Sequence, residues 1–288
     1  MDKIKSIQQI IPAQRVKMGS IELDQPLPVA NLQYLDPFLL IHHWESELPG
    51  GQRQQEVGVG PHPHRGFSPV TFIFKGNMEH RDSLGNRAMV EEGGTQWMFA
   101  GKGVTHSERQ GKTLAEKGGA VELIQFWVNA PSEHKMKAAF YQPISVEETP
   151  VVVTEQSKVW VVSGEYKSVK GVAPTYTPQT LLRGILQASG KLTIPIPENY
   201  NTLLYLLDGA LSVNGKELVR KDMAVFKQDG TQIELEAQKD TRFIILSGEP
   251  IGEPVVSYGP FVMTNQTEIM EAVRDAQIGK MGVLIEEF

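Results

Sequence analysis

The sequence predicts an all-β chain of two tandem β domains, and three observations carry that prediction. Its apolar runs are short and rich in aromatic or β-branched residues, Gly, Pro, Asn and Asp punctuate them, and the pattern of the first half returns in the second. One amphipathic segment near the end departs from it.

In the first half the runs are Phe38–Ile41, Val70–Phe74, Met89–Val90, Trp97–Phe99 and Val121–Val128. Asp82-Ser83-Leu84-Gly85-Asn86 reads as a turn between two strands, since Gly and Asn tolerate positive φ, and the arrangement is antiparallel. Residues 45–61, with Pro49, Gly50, Gly51, Gly58 and Gly60, read as a mobile loop.

The second half begins near Pro143–Pro150. Leu192–Ile196 and Leu211–Val213 alternate, Leu203–Leu207 is an apolar run, and Asn214-Gly215 is a strong hairpin signal. Met223–Phe226, Ile233–Ala237 and Phe243–Leu246 follow. The domains are expected at 1–142 and 143–288, the second ending in a helix. Asn265 caps that helix with Glu268 three residues on, Ile269, Ala272, Val273 and Ala276 form its apolar face, and Gly279 stops it. Such a face must pack on one domain or on the joint between them.

At 288 residues, with 40% hydrophobic and 22% charged residues, the chain has ordinary globular composition. A net charge of −6 with scattered Lys and Arg offers no footprint for nucleic acid. The opening Met1-Asp2-Lys3-Ile4-Lys5 leads into polar sequence and no apolar run could span a bilayer, so a cytoplasmic location is expected; a monomer is expected as well. With no cysteine, any metal must sit on imidazole and carboxylate.

Two short stretches fit such a site. His62 and His64 are two residues apart in Pro-His-Pro-His, so on an extended chain both imidazoles share a face, and His106 with Glu108 repeats the spacing. Three neutral nitrogens and one carboxylate on an octahedral ion leave two positions for water, substrate or dioxygen. Fe(II) is the expected ion, with Mn, Ni, Co, Cu or Zn as further candidates.

The remaining histidines have other expected roles. Adjacent His42 and His43 face opposite ways on a strand and cannot both join one site. His80 reads as a residue behind the ligands, His134 as a solvated turn or short helix, Trp97 and Met98 as core, and Phe67 as core or pocket wall. All seven histidines precede residue 135. Aligning Phe72–Gly76 on Tyr205–Gly209 sets His62 and His64 against Pro195 and Pro197, to within about a residue. A repeated fold with unrepeated ligands is expected.

These residues carry a resemblance. His62-Pro-His-Arg-Gly-Phe67, His80-Arg-Asp-Ser-Leu-Gly-Asn86, Gln96-Trp-Met98 and Gly103-Val-Thr-His-Ser-Glu108 resemble the N-terminal signature of the pirins, a family of two-domain cupins. Gly248–Val256 and Tyr258-Gly-Pro-Phe-Val-Met263 resemble the C-terminal one. The resemblance implies two cupin (double-stranded β-helix, jelly-roll) barrels, with iron on His62, His64, His106 and Glu108 of the first and no metal in the second. Where the family commonly has Glu after the histidine pair this chain has Ser68, and where it has Asp-Glu or Asp-His this chain has His42-His43.

The resemblance further implies a quercetin 2,3-dioxygenase-type activity, opening a flavonol with O₂ and releasing carbon monoxide, with Glu108 as the catalytic base. The alternative it implies is a redox-sensing regulator that binds a transcription factor or metabolic enzyme.

Overall fold

In the computed structural model, which describes residues 3–19 and 21–288, strands take up 54% of the chain and helix 9%. This is the all-β architecture that short apolar runs require. Met1 and Asp2, the start of the polar N-terminal stretch, lie outside the described residues. Among the described residues no helix is long and apolar enough to cross a membrane.

The chain forms two compact units, and neither is a single stretch. One comprises Leu40–Val146 with Gly252–Phe288, the other Met1–Leu39 with Glu147–Ile251. The linear division at 142/143 differs from this at both ends. In particular the C-terminal helix packs with the histidine-bearing half and does not close the second.

The strands of the first unit are β1 (Phe38–Leu48), β2 (Val59–His64), β3 (Phe67–Lys75), β4 (Asn77–Asp82), β5 (Arg87–Glu91), β6 (Thr95–Phe99), β7 (Val104–Arg109), β8 (Gly119–Asn129) and β9 (Phe140–Ile144). They form one sheet with neighbours β9-β6-β3-β8-β1 and a facing sheet with order β2-β7-β4-β5. The segment read as a loop over 45–61 is shorter than expected, because β1 continues to Leu48 and β2 starts at Val59.

Alternation along the strands decides what lies between the sheets. Val121 and Leu123 on β8 pack with Leu48, Ile73, Met78 and Val90 at one end of the barrel. Each such side chain contributes roughly 1.5–3 kcal/mol of burial energy. Further along β8 the same face carries Gln125 and Trp127, so the apolar floor gives way to polar and aromatic groups where the histidines sit.

The helix Gln266–Gln277 forms as its sequence predicts. The Asn265 side chain accepts from Glu268 N–H at 3.0 Å, and Gly279 adopts a positive φ of 75° just beyond the last turn. Ile269 and Ala272 are buried against Phe261, Met263 and Met281. Arg65, at the end of β2, reaches Asp275 on this helix at 3.1 Å.

The second unit repeats the design. Its large sheet runs Ile7–Pro12, Asp222–Phe226, Asn201–Asp208, Thr241–Gly248, Gln179–Leu186, Ser157–Ser163, Val151–Val153, and its small sheet Lys191–Pro195, Gln232–Ala237, Ala210–Val213, Lys216–Val219. Asn214 and Gly215 turn the last hairpin with φ of 49° and 74°, which non-glycine residues other than Asn and Asp rarely adopt. Strand order makes Lys191–Pro195 the counterpart of β2 and Gln232–Ala237 the counterpart of β7.

Candidate metal centre

Strand pairing brings the histidines together. β7 lies between β2 and β4, with His106 opposite His62 on one side and opposite Asp82 on the other. His64 follows on the same face of β2. Ring centroids of His62 and His106 are 4.4 Å apart, those of His62 and His64 4.8 Å, and those of His64 and His106 5.1 Å. One ring nitrogen from each of the three lies within 4.8 Å of those of the other two.

Hydrogen bonds assign the nitrogens. His62 Nδ1 is 2.8 Å from the Gly60 carbonyl and His64 Nδ1 is 3.1 Å from the Pro260 carbonyl. A carbonyl only accepts, so both Nδ1 atoms carry the proton and both Nε2 atoms keep a lone pair. His106 Nε2 is buried with no hydrogen-bond partner. Three bare nitrogens converge, one of them an orphaned buried acceptor, and this donor set fits a divalent transition-metal ion.

Electrostatics keep two of these rings, His64 and His106, neutral. Burial brings His64 down to about 3, with the neighbouring His62 ring adding to the effect and the Pro260 carbonyl opposing it. Burial first, then His62, His64 and His80, holds His106 well below the ordinary histidine value. The lone pairs are therefore present at neutral pH without competition from protons at these two rings.

Glu108 stands beside the cluster but is not one of its three converging atoms. Gln125 Nε2 donates to its two carboxylate oxygens at 3.1 and 2.9 Å, and Thr71 Oγ1 lies 3.4 Å away. Both partners are neutral side chains, and neither brings a positive charge to the carboxylate. Phe67 and Trp127 form an aromatic wall, with rings 4.3 Å apart and 5.1 and 5.4 Å from His64.

Behind the ligating face, His80 Nε2 lies 3.0 Å from Asp82 Oδ2, and His80 Nδ1 lies 3.4 Å from His106 Nδ1. Tyr141 stacks on His80 at 3.7 Å with 3° between the planes. Burial would raise the Asp82 carboxyl, but hydrogen bonds from His80 and Asn86 outweigh it and hold the group below its ordinary value. Burial, then Glu108 and Asp82, pushes the Tyr141 phenol up.

The other sequence candidates separate cleanly. Phe67 is both buried and part of the wall, and Trp97 and Met98 are core. His43 is fully buried with Nε2 3.4 Å from Glu122 Oε1, whereas His42 lies on the opposite face and is brought down to about 4 by burial. His134 sits in the short helix Ser132–Lys135, 3.3 Å from Glu133. Ser68 follows Phe67 on β3 and takes the other face, so the missing carboxylate there is no loss to the site.

Gln125, Trp127, Asp82, Tyr141 and Pro260 were not among the sequence candidates. The period-two register of β8 carries a signal for Gln125 and Trp127, and the spacing of two from His80 carries one for Asp82. In the second unit the counterparts of the histidine strands pair Leu192 with Leu235 and Ile194 with Ile233, apolar side chains in its core. A cavity of about 740 Å³ there is lined by Pro195, Pro197, Tyr200 and Gln179 among others, with no histidine.

Comparison with known proteins agrees with this geometry. Residues 20–128 match the family model described as Pirin, and residues 181–282 match the model described as Pirin C-terminal cupin domain. A Pseudomonas aeruginosa protein whose name assigns it provisionally to quercetin 2,3-dioxygenase (PA2418) is 36% identical over 252 residues, covering 86% of this chain and 87% of that one. Human Pirin is 34% identical over 257 residues, covering 87% and 84%. The crystal structure of quercetin 2,3-dioxygenase from Acinetobacter baumannii superposes with a TM-score of 0.92 at 36% identity, covering 98% of this chain and 100% of that one. With sequence signatures, repeated cupin topology and relatives matched over most of their length in agreement, the chain belongs to the pirin family.

Proposed function

We propose that the protein is an iron-dependent oxygenase of the quercetin 2,3-dioxygenase type, acting on a flavonol or similar enol with O₂. The observation that supports it most is a buried carboxylate, Glu108, held by the neutral donors Gln125 and Thr71 beside three bare imidazole nitrogens. An ion on His62, His64 and His106, with Glu108 as a further ligand, would lower the pKa of a substrate hydroxyl and supply the redox chemistry that dioxygen requires.

The protein's own groups do the rest. Glu108 accepts the proton of the flavonol 3-hydroxyl, and Gln125 fixes the orientation in which it does so. Trp127, backed by the buried ring of Phe67, offers an aromatic face for the substrate rings beside His64. Burial of Glu108 keeps competing water away from that transfer.

The test is aerobic turnover of quercetin by protein whose iron content has been measured, read as O₂ uptake and carbon monoxide release. Wild-type protein is expected to turn over, and His64→Ala is not. Iron-loaded wild type that leaves quercetin intact, or a variant as active as wild type, would overturn the proposal. The redox-sensing regulator would then be the reading to test.

A further inference from the structure

We infer that Asp82 and His80 are positioning residues that fix the tautomer of His106, through a chain of hydrogen bonds running Asp82 to His80 to His106. The inference rests on the metal reading of the three imidazoles and adds what prepares the third one.

His62 and His64 have backbone carbonyls behind them, and a carbonyl can only accept. His106 has another imidazole there, which could either donate or accept, so its tautomer is undetermined until something else decides it. Asp82 decides it. Its Oδ1 accepts from the Leu84 and Asn86 amides at 2.9 and 3.0 Å, and its Oδ2 accepts from Asn86 Nδ2 at 2.8 Å and from His80 Nε2 at 3.0 Å.

With every neighbour donating, the carboxylate acts only as acceptor and His80 carries its proton on Nε2. With His80 a neutral ring, its Nδ1 is then bare. Facing it at 3.4 Å, His106 Nδ1 must be the donor, and His106 Nε2 is left with a lone pair. That is the buried atom found without a hydrogen-bond partner. The stacked Tyr141 ring holds the plane of His80, and His80, Asp82 and His106 are 1%, 4% and 1% exposed, so water does not compete.

Substituting Asp82→Asn inverts the chain. The amide oxygen keeps the two backbone donors, its NH₂ faces His80 Nε2, the His80 proton moves to Nδ1, and the His106 proton moves to Nε2, where it blocks a metal. Nitrogen-15 NMR of the metal-free full chain reads these tautomers directly. Wild type is expected to show His80 protonated on Nε2 and His106 on Nδ1, and Asp82→Asn the reverse.

Zn(II) and Fe(II) titrations give the second readout, with Asp82→Asn and His80→Phe each weakening binding about 10–100-fold. His80→Phe keeps a ring on Tyr141, so loss there is not loss of packing. His80→Asn places an amide oxygen where Nδ1 was and is expected to recover most of the affinity. An unchanged His106 tautomer in Asp82→Asn, or His80→Phe binding as tightly as wild type, would overturn the inference. Wild type with the stated tautomers that binds neither ion would refute the metal reading and leave the tautomer chain supported.

Discussion

His64 Nδ1 donates to the Pro260 carbonyl at 3.1 Å, a bond between residues 196 apart in sequence. It joins the segment after Gly252 to the histidine strand β2 and sets which nitrogen His64 turns toward the site. The same junction is held by Val262 N–H donating to the Arg65 carbonyl at 3.1 Å and by the Arg65–Asp275 pair.

Gly66 makes that junction sterically possible. Its φ is +89°, and a Cβ there would collide with the Val262 carbonyl. Gly66→Ala is expected to cost about 1–3 kcal/mol of stability. It should also weaken metal binding, because the Pro260 carbonyl moves from His64. Urea denaturation and Zn(II) titration of the variant check both; a stable variant with normal affinity would argue that the junction is not needed.

Lys135 is 2% exposed, and its Nζ donates to the Gly66 carbonyl at 2.8 Å, to Asn129 Oδ1 at 2.6 Å and to the Val262 carbonyl at 3.1 Å. Lys135→Met leaves these buried acceptors without that donor. A loss of about 3–5 kcal/mol is expected, read from chemical denaturation.

Ligand and base variants should behave differently. His62→Ala, His64→Ala and His106→Ala are expected to abolish stoichiometric metal in elemental analysis of the purified protein. Glu108→Gln is expected to retain metal on the three imidazoles while kcat for quercetin falls about 10²–10⁴-fold. If Glu108→Gln loses the metal as completely as His106→Ala, its carboxylate is needed for binding first.

His42 sets a pH dependence. Its pKa falls from 6.5 to about 4 on folding, so between these values the unfolded chain binds more protons than the folded one. Stability therefore decreases as pH drops through that window, by up to about 1.4 kcal/mol per pH unit, with no further loss from this group below it. His42→Gln should flatten that part of the profile, measured as urea midpoints at about pH 7 and about pH 5.

The sequence by itself determined the all-β class, the repeated domain, the helix with its Asn265 cap, and the histidines able to converge. Each is a local matter: apolar period, turn chemistry and a spacing of two residues all act within a few positions of the chain. Only the tertiary structure decided that residues 252–288 complete the first unit and that Pro260 orients His64. It also decided that Asp82 and His80 stand behind His106 and that Gln125, not a cation, holds Glu108. Those relations join strands distant in sequence, and a hydrogen bond between them depends on register and on which face of a strand a side chain takes, which no local pattern specifies.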